Sequence, residues 1–205
     1  EQGAVIIPEF PLRYQPATLR LREILATTLG RMVRLRVAVP LWTSLLPDVG
    51  QLAHLLDWCQ SFIAGSPRDV QAIPTEPAST DKDRVKITFD VGTRGTAPHQ
   101  IEVLLDLTAA PDGENRAESH LPLCQITAEQ GTAKVISSNE LHWTSDEESN
   151  DERLTADRSA TEVLLDHFAR RVLGGLIPTP DFDDLRRAQE FAAAVNAVRD
   201  PSRHA

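Results

Sequence analysis

Residues 85–107 constrain this chain more than any other stretch. Val85-Lys86-Ile87-Thr88-Phe89-Asp90-Val91 alternates apolar and polar side chains at every step. Ile101-Glu102-Val103-Leu104-Leu105-Asp106-Leu107 does the same, with one break at Leu104. A period of two puts Val85, Ile87, Phe89 and Val91 on one side of a strand and Lys86, Thr88 and Asp90 on the other. Between the runs lies Gly92-Thr93-Arg94-Gly95-Thr96-Ala97-Pro98-His99-Gln100, with two glycines and a proline. The pattern predicts an antiparallel hairpin with a long connection. It carries no chemistry of its own.

Other segments extend the pattern. Val33, Leu35, Val37 and Val39 alternate with Arg34, Arg36 and Ala38, a strand that Pro40 ends. Leu121 to Thr127 is a further strand, Glu129-Gln130-Gly131 turns the chain, and Thr132 to Ser137 returns. Leu141-His142-Trp143 extends that strand or starts another. Helical spacing follows Pro16, through Leu21, Ile24, Leu25 and Thr28, with Gly30 as the stop. Pro47 and Asp48 open a helix whose apolar stripe is Val49, Leu52, Leu55, Leu56, Cys59, Phe62 and Ile63. Ser159-Ala160-Thr161-Glu162 is a capping box ahead of Val163, Leu164 and Phe168, and Gly174-Gly175 ends that helix. A last helix carries Phe182, Leu185, Phe191, Val195 and Val198.

Three segments read as irregular. Val5-Ile6-Ile7-Pro8-Glu9-Phe10-Pro11-Leu12 places two prolines in an apolar run, which forbids a helix and predicts an extended arm over residues 1–15. Residues 65–83, with three prolines beside Ser, Thr and Asp81-Lys82-Asp83, read as a flexible loop. Residues 144–157 carry six acidic side chains against Arg153 alone, and like charges at that density predict a solvated acidic loop. Strands thus cluster mid-chain and helices at both ends. The expected architecture is one α+β domain over 1–205, with a mostly antiparallel central sheet of about four to six strands and the helices packed on one face. A doubly wound nucleotide fold would alternate strands and helices throughout.

Charge sets limits on partners. The net charge is −9, from 21 basic and 30 acidic residues. That argues against general nucleic-acid binding, which needs Lys and Arg to displace phosphate counterions. No apolar run reaches the roughly 18 residues of a membrane span. There is no basic-then-apolar leader, so the expected location is cytoplasmic. Cys59 and Cys124 fit two reduced, buried thiols better than a bridge.

No local motif carries chemistry. Gly92-Thr93-Arg94-Gly95-Thr96 is glycine-rich but joins two strands, with no helix N-terminus behind it and no Gly-Lys-Ser/Thr. The histidines (His54, His99, His120, His142, His167 and His204) include no paired helical set, and neither cysteine is paired, so no metal or other cofactor is expected. His54 and Cys59 lie five residues apart, about 500° of helical rotation, and point to different sides. Gly-x-Ser-x-Gly is absent. A catalytic carboxylate pair remains open, because only folding would assemble one.

Two features suggest interaction. Residues 1–40 hold Arg13, Arg20, Arg22, Arg31, Arg34 and Arg36 against Glu1, Glu9 and Glu23. Arg34 and Arg36 share a strand face and suit an acidic partner surface or the chain's own acidic loop, with cross-strand pairing to residues such as Glu102 or Asp106 as the plainer alternative. The arm, through Ile6, Ile7 and Phe10, could add to a neighbour's sheet edge, or complete its own sheet. Arg94, at the hairpin tip, could meet an anion.

Arg84-Val85-Lys86-Ile87-Thr88-Phe89-Asp90-Val91-Gly92-Thr93-Arg94-Gly95, continued by Leu104-Leu105-Asp106-Leu107, resembles the opening hairpin of the small sheath subunit of contractile secretion systems. It covers a small part of the chain. In that family the hairpin lies near the N-terminus and is followed by an apolar run with proline and phenylalanine, which is missing here. The resemblance implies a structural subunit. The sequence reading is therefore a non-catalytic interaction or assembly subunit that binds another protein or copies of itself. Its alternative is an enzyme or small-ligand-binding protein whose site is built from distant histidines and carboxylates.

Overall fold

The computed structural model describes residues 5–38, 49–63, 66–73, 84–91, 99–106, 123–155 and 158–199. Among them, eight strands form one sheet: β1 (Met32–Ala38), β2 (Ser66–Ile73), β3 (Arg84–Val91), β4 (His99–Asp106), β5 (Leu123–Ala128), β6 (Gly131–Val135), β7 (Glu140–Ser145) and β8 (Ser149–Arg153). Their order across the sheet is β2-β3-β4-β1-β5-β6-β7-β8. The expected hairpin is β3–β4, antiparallel, with Val85 opposite Leu105 and Phe89 opposite Ile101. Strand β1 lies between β4, to which it is parallel, and β5, to which it is antiparallel. A parallel neighbour cannot be reached by a tight turn, so the chain returns to β1's side only after a helix and two further strands.

The mixed, mostly antiparallel sheet is wider than the four to six strands expected, and both additions are its edges. β2 occupies part of 65–83, and β8 lies within 144–157; neither stretch is the loop its composition suggests. An edge strand tolerates proline because one side of it has no partner, and the β2–β3 register shifts between Pro67 and Asp69. β8 reads Ser-Asn-Asp-Glu-Arg, with no apolar residue, and charges on an edge discourage further strand addition. Its charged side chains find partners elsewhere: Arg20 pairs with Glu152, Glu140 pairs with Arg153, and a ring nitrogen of His142 hydrogen-bonds Asp151.

One face of the sheet is apolar and buried, through Leu35, Val37, Val85, Ile87, Phe89, Val103, Leu105, Cys124, Ile126, Val135 and Leu141. Helix α1 (Pro16–Ile24), which widens into a π-helical turn over Leu25–Leu29, lies against β6 and β7. It stops at Gly30, whose φ of 74° suits glycine. Helix α2 (Val49–Gln60) packs on α4 (Phe182–Arg199), and α4 on β2. Phe89 meets Phe191 edge-on, 5.5 Å between ring centroids.

Helix α3 (Ala160–Val172) differs from the expected arrangement. It starts with the full capping box, the Ser159 hydroxyl accepting from Glu162 N–H and the Glu162 carboxylate accepting from Ser159 N–H. Its buried residue is Leu164, and it rests on a 3-10 turn over Pro11–Tyr14 rather than on the sheet. α3 therefore forms an outer layer.

The 3-10 turn also shortens the expected arm. Residues 5–10 have no regular structure, and Pro11 then opens the turn. Ile6 is exposed and Ile7 half-buried, whereas Phe10 is 1% exposed. Burying a phenylalanine contributes roughly 1.5–3 kcal/mol, so Phe10 anchors this segment to its own domain.

Candidate functional site

The polar chemistry gathers where α2, α3, α4 and the 3-10 turn meet. α2 is loaded on two sides. Leu52, Leu55, Leu56, Cys59 and Ile63 are buried in the main core. His54, Asp57, Trp58 and Ser61 recur at i, i+3, i+4 and i+7, which places them together on a second stripe. Trp58 is fully buried and donates its indole N–H to Thr18 Oγ1 at 3.0 Å, tying α2 to α1. His54 is half-buried and meets the Phe10 ring at 5.4 Å, nearly edge-on.

Asp57, 1% exposed, is the centre of the cluster. Arg13 grips it with two bonds, Nε to Oδ2 at 2.7 Å and Nη2 to Oδ1 at 2.5 Å. The guanidinium also lies 3.7 Å from Asp184 Oδ2 on α4 and 5.4 Å from the Phe10 ring centroid. Burial pushes the Asp57 carboxyl above its usual value, and Arg13 pulls it part of the way back. Burial opposes the Arg13 charge, but the bonds to Asp57 outweigh it and raise the guanidinium's pKa. The pair is thus a structural clamp between the turn and α2, with both carboxylate oxygens committed.

Around it stand groups with spare capacity. Burial raises the Tyr14 phenol, and the Tyr14 ring sits 5.3 Å from His167 of α3. His167 Nδ1 is buried without a hydrogen-bond partner. Arg22 reaches back to the Arg13 carbonyl at 3.4 Å and lies 5.5 Å from the Phe62 ring centroid. His54 and His167 thus reach the two ends of the segment 10–14, at Phe10 and Tyr14, from helices more than a hundred residues apart in sequence. The cluster therefore combines two imidazoles, a phenol and guanidinium donors.

The residues expected to interact lie elsewhere. Arg34 pairs with Glu102 at 2.8 Å, and Lys86 pairs with the same carboxylate from the other side. Arg36 reaches Asp106 at 3.2 Å. These are the cross-strand pairs of the plainer alternative, on the open face of the sheet. Arg94 lies outside the described residues. Cys59 and Cys124 are free and fully buried, and burial raises both thiols far above reactive values. Among the described residues no group of three or more His, Cys, Asp or Glu could hold a metal ion. No described helix is long and apolar enough to cross a membrane.

Sequence reasoning missed Tyr14, Asp57 and Trp58, and named Arg13 only as one of the N-terminal arginines. The signal available was the second stripe on α2, with His54, Asp57 and Trp58 at helical spacing beside the apolar one. Arg13, 44 residues from its partner, had no local signal.

No protein-family model and no curated protein matches the chain. Solved structures do. UDP-N-acetylglucosamine 3-dehydrogenase GnnA from Acidithiobacillus ferrooxidans is similar over 94% of this chain and 60% of its own, at 20% identity and a TM-score of 0.64. An oxidoreductase from Agrobacterium radiobacter, in complex with NAD+, L-tartaric acid and magnesium, is similar over 94% and 62%, at 16% identity and a TM-score of 0.63. Aldose-aldose oxidoreductase from Caulobacter crescentus, complexed with glycerol, is similar over 96% and 62%, at 10% identity and a TM-score of 0.65. The chain spans about 60% of the length of these structures. The reading as a non-catalytic assembly subunit is corrected by them, and the implied sheath-type subunit with it. The solved structures similar to this chain include oxidoreductases and dehydrogenases. The likeness at this identity is one of fold: a mixed α/β domain with an eight-stranded sheet and four helices.

Proposed function

We propose that this chain is the substrate-side domain of an oxidoreductase acting on a hydroxylated small molecule, of the kind that forms the C-terminal domain in the Gfo/Idh/MocA group. The observation that carries the reading is the coincidence of two things. The fold matches oxidoreductases over 94% of the chain, and the polar cluster around Arg13, His54 and Asp57 lies on its helical layer.

These residues do not fit a dinucleotide themselves. A dinucleotide cradle needs parallel strands that run through a glycine-rich turn into a helix N-terminus. Among the described residues no strand does so; α3 follows β8 but begins at a serine cap. The cofactor in such an enzyme would be held outside these elements. What this chain would supply is orientation and a proton-transfer group. Arg13 and Asp57 hold the 3-10 turn against α2, and the turn sets Phe10 against His54. When an alcohol is oxidised, its hydride would pass to that cofactor while His54 would take the hydroxyl proton, returning it in reverse.

The test is an NMR titration of the labelled chain with glycerol, L-tartrate and a nucleotide sugar. Amide shifts centred on residues 10–14 and 54–58 are expected for at least one ligand. His54→Asn should weaken that ligand about tenfold, the loss of one good hydrogen bond. Shifts confined to the open sheet face, or none with any ligand, would overturn the reading.

A further inference from the structure

The N-terminal arginines raise a question that the fold answers for five of six. Arg13 pairs with Asp57, Arg20 with Glu152, Arg31 with Glu129, Arg34 with Glu102 and Arg36 with Asp106. Each finds a carboxylate far along the chain. Arg22 has no ion pair among the described residues, although acids outnumber bases by 30 to 21 in the chain.

Its surroundings make this costly. The Arg22 side chain is half-buried, and burial lowers its pKa, with the neighbouring charge of Arg13 adding to the effect. Its Nε is buried with no hydrogen-bond partner. Nη1 has one long contact, 3.4 Å to the Arg13 carbonyl. The plane rests near Phe62, whose ring is itself braced edge-on by Trp58 at 5.3 Å. A desolvated guanidinium with unused donors is normally matched by a carboxylate or phosphate, whose two oxygens fit its fork. Here Asp57, the carboxylate whose charge acts on Arg22, bonds Arg13 through both oxygens and makes no bond to Arg22. An aromatic support fixes the guanidinium in place without satisfying its N–H groups.

We propose that Arg22 is the binding residue for an anionic group, carboxylate or phosphate, on the ligand of this domain. The inference rests on the reading given under Proposed function and narrows its substrate class from hydroxylated molecules to acidic ones, sugar acids or sugar phosphates. Arg22 holds the anion. Arg13, already neutralised by Asp57, positions the backbone against which Arg22 leans.

The experiment is calorimetric titration and thermal unfolding of the full chain with four probes at equal ionic strength: galactose, galacturonate, galactose 1-phosphate and inorganic phosphate. The proteins compared are the natural chain, Arg22→Gln and Arg22→Lys. Galacturonate or galactose 1-phosphate is expected to bind about tenfold or more tightly than galactose. Whichever is tighter identifies the carboxylate or the phosphate. Arg22→Gln should lose that preference and keep its affinity for galactose within about twofold; Arg22→Lys should retain part of it. If Arg22→Gln does not fold, by its circular dichroism spectrum, Arg22→Lys carries the comparison and should show a weakened preference. Equal binding of galactose and its acids by the natural chain, or an undiminished preference in the variants, would overturn the inference while leaving the broader reading intact. If none of the three sugars binds, the broader reading falls, and inorganic phosphate decides Arg22 alone. Stabilisation of the natural chain but not of Arg22→Gln supports an anion site; equal effects on both, or none, overturn it.

Discussion

Replacing Arg13 with methionine tests the clamp at the heart of the cluster. The guanidinium supplies both bonds to the Asp57 carboxylate, which is 1% exposed. Removing it leaves a buried charge that must either stay ionised without a partner or take up a proton. Breaking one side of a buried pair costs about 3–5 kcal/mol. For a chain of this size about 2–4 °C is lost per kcal/mol, so the melting temperature should fall by about 6–20 °C. The pH dependence gives a second signature. Burial already raises the Asp57 carboxyl, and only Arg13 strongly opposes it. In Arg13→Met the folded pKa rises further above the unfolded one. Such a group adds stability below its unfolded pKa and loses it as pH rises through the folded value. The variant should therefore recover part of its deficit relative to the natural chain as pH falls from about 7 to about 5. Replacing both partners, Arg13→Met with Asp57→Leu, should restore most of the loss, because no charge is then stranded. Thermal melts followed by circular dichroism at the two pH values measure all of this. A single-variant cost under about 1 kcal/mol, as for a surface pair, or a double variant worse than the single one, would refute the reasoning.

Two further perturbations probe how the layers are joined. Glu152 on β8 accepts from Arg20 Nε at 2.7 Å and from the Trp143 indole at 2.7 Å, and the Arg20 bond, then Trp143, holds its carboxyl below the usual range. A lowered carboxyl contributes stability above its unfolded pKa that is lost as pH falls through the folded one. Hydrogen exchange in β7 and β8 should therefore accelerate in acid in the natural chain, and the added acid sensitivity should be missing in Glu152→Gln; identical acid profiles would count against the tie. Trp58→Phe removes the donor to Thr18, whose hydroxyl is fully buried. It should cost about 1–3 kcal/mol in denaturant unfolding, with part regained by adding Thr18→Val, since an unpaired buried polar group is the dominant penalty.

The elements that could be read from residue order are those whose pattern is set by one-sided burial. The β3–β4 hairpin, β1, the apolar stripe of α2 and the capping box of α3 each announce themselves within ten or so residues, because alternation or helical spacing must match the face that leaves water. Edge strands escape this rule. β2 carries Pro67 and β8 carries Asp151, Glu152 and Arg153, since an edge needs backbone pairing on one side only and gains from charge on the other. The acidic run looked self-repelling because its counter-charge, Arg20, comes from a helix 132 residues away.

The cluster around Asp57 depends on the same distinction. Local spacing alone determines that His54, Asp57 and Trp58 share one stripe of α2. It cannot say that this stripe meets Phe10, Arg13 and Thr18, or that Asp57 bonds Arg13 through both oxygens and leaves Arg22 without an ion pair among the described residues. Those facts arise only when the parallel return beside β1 and the stacking of α3 on the 3-10 turn bring separate segments together. Charge pairing is a property of distance in space, and distance in space is what the sequence pattern of a single element does not contain.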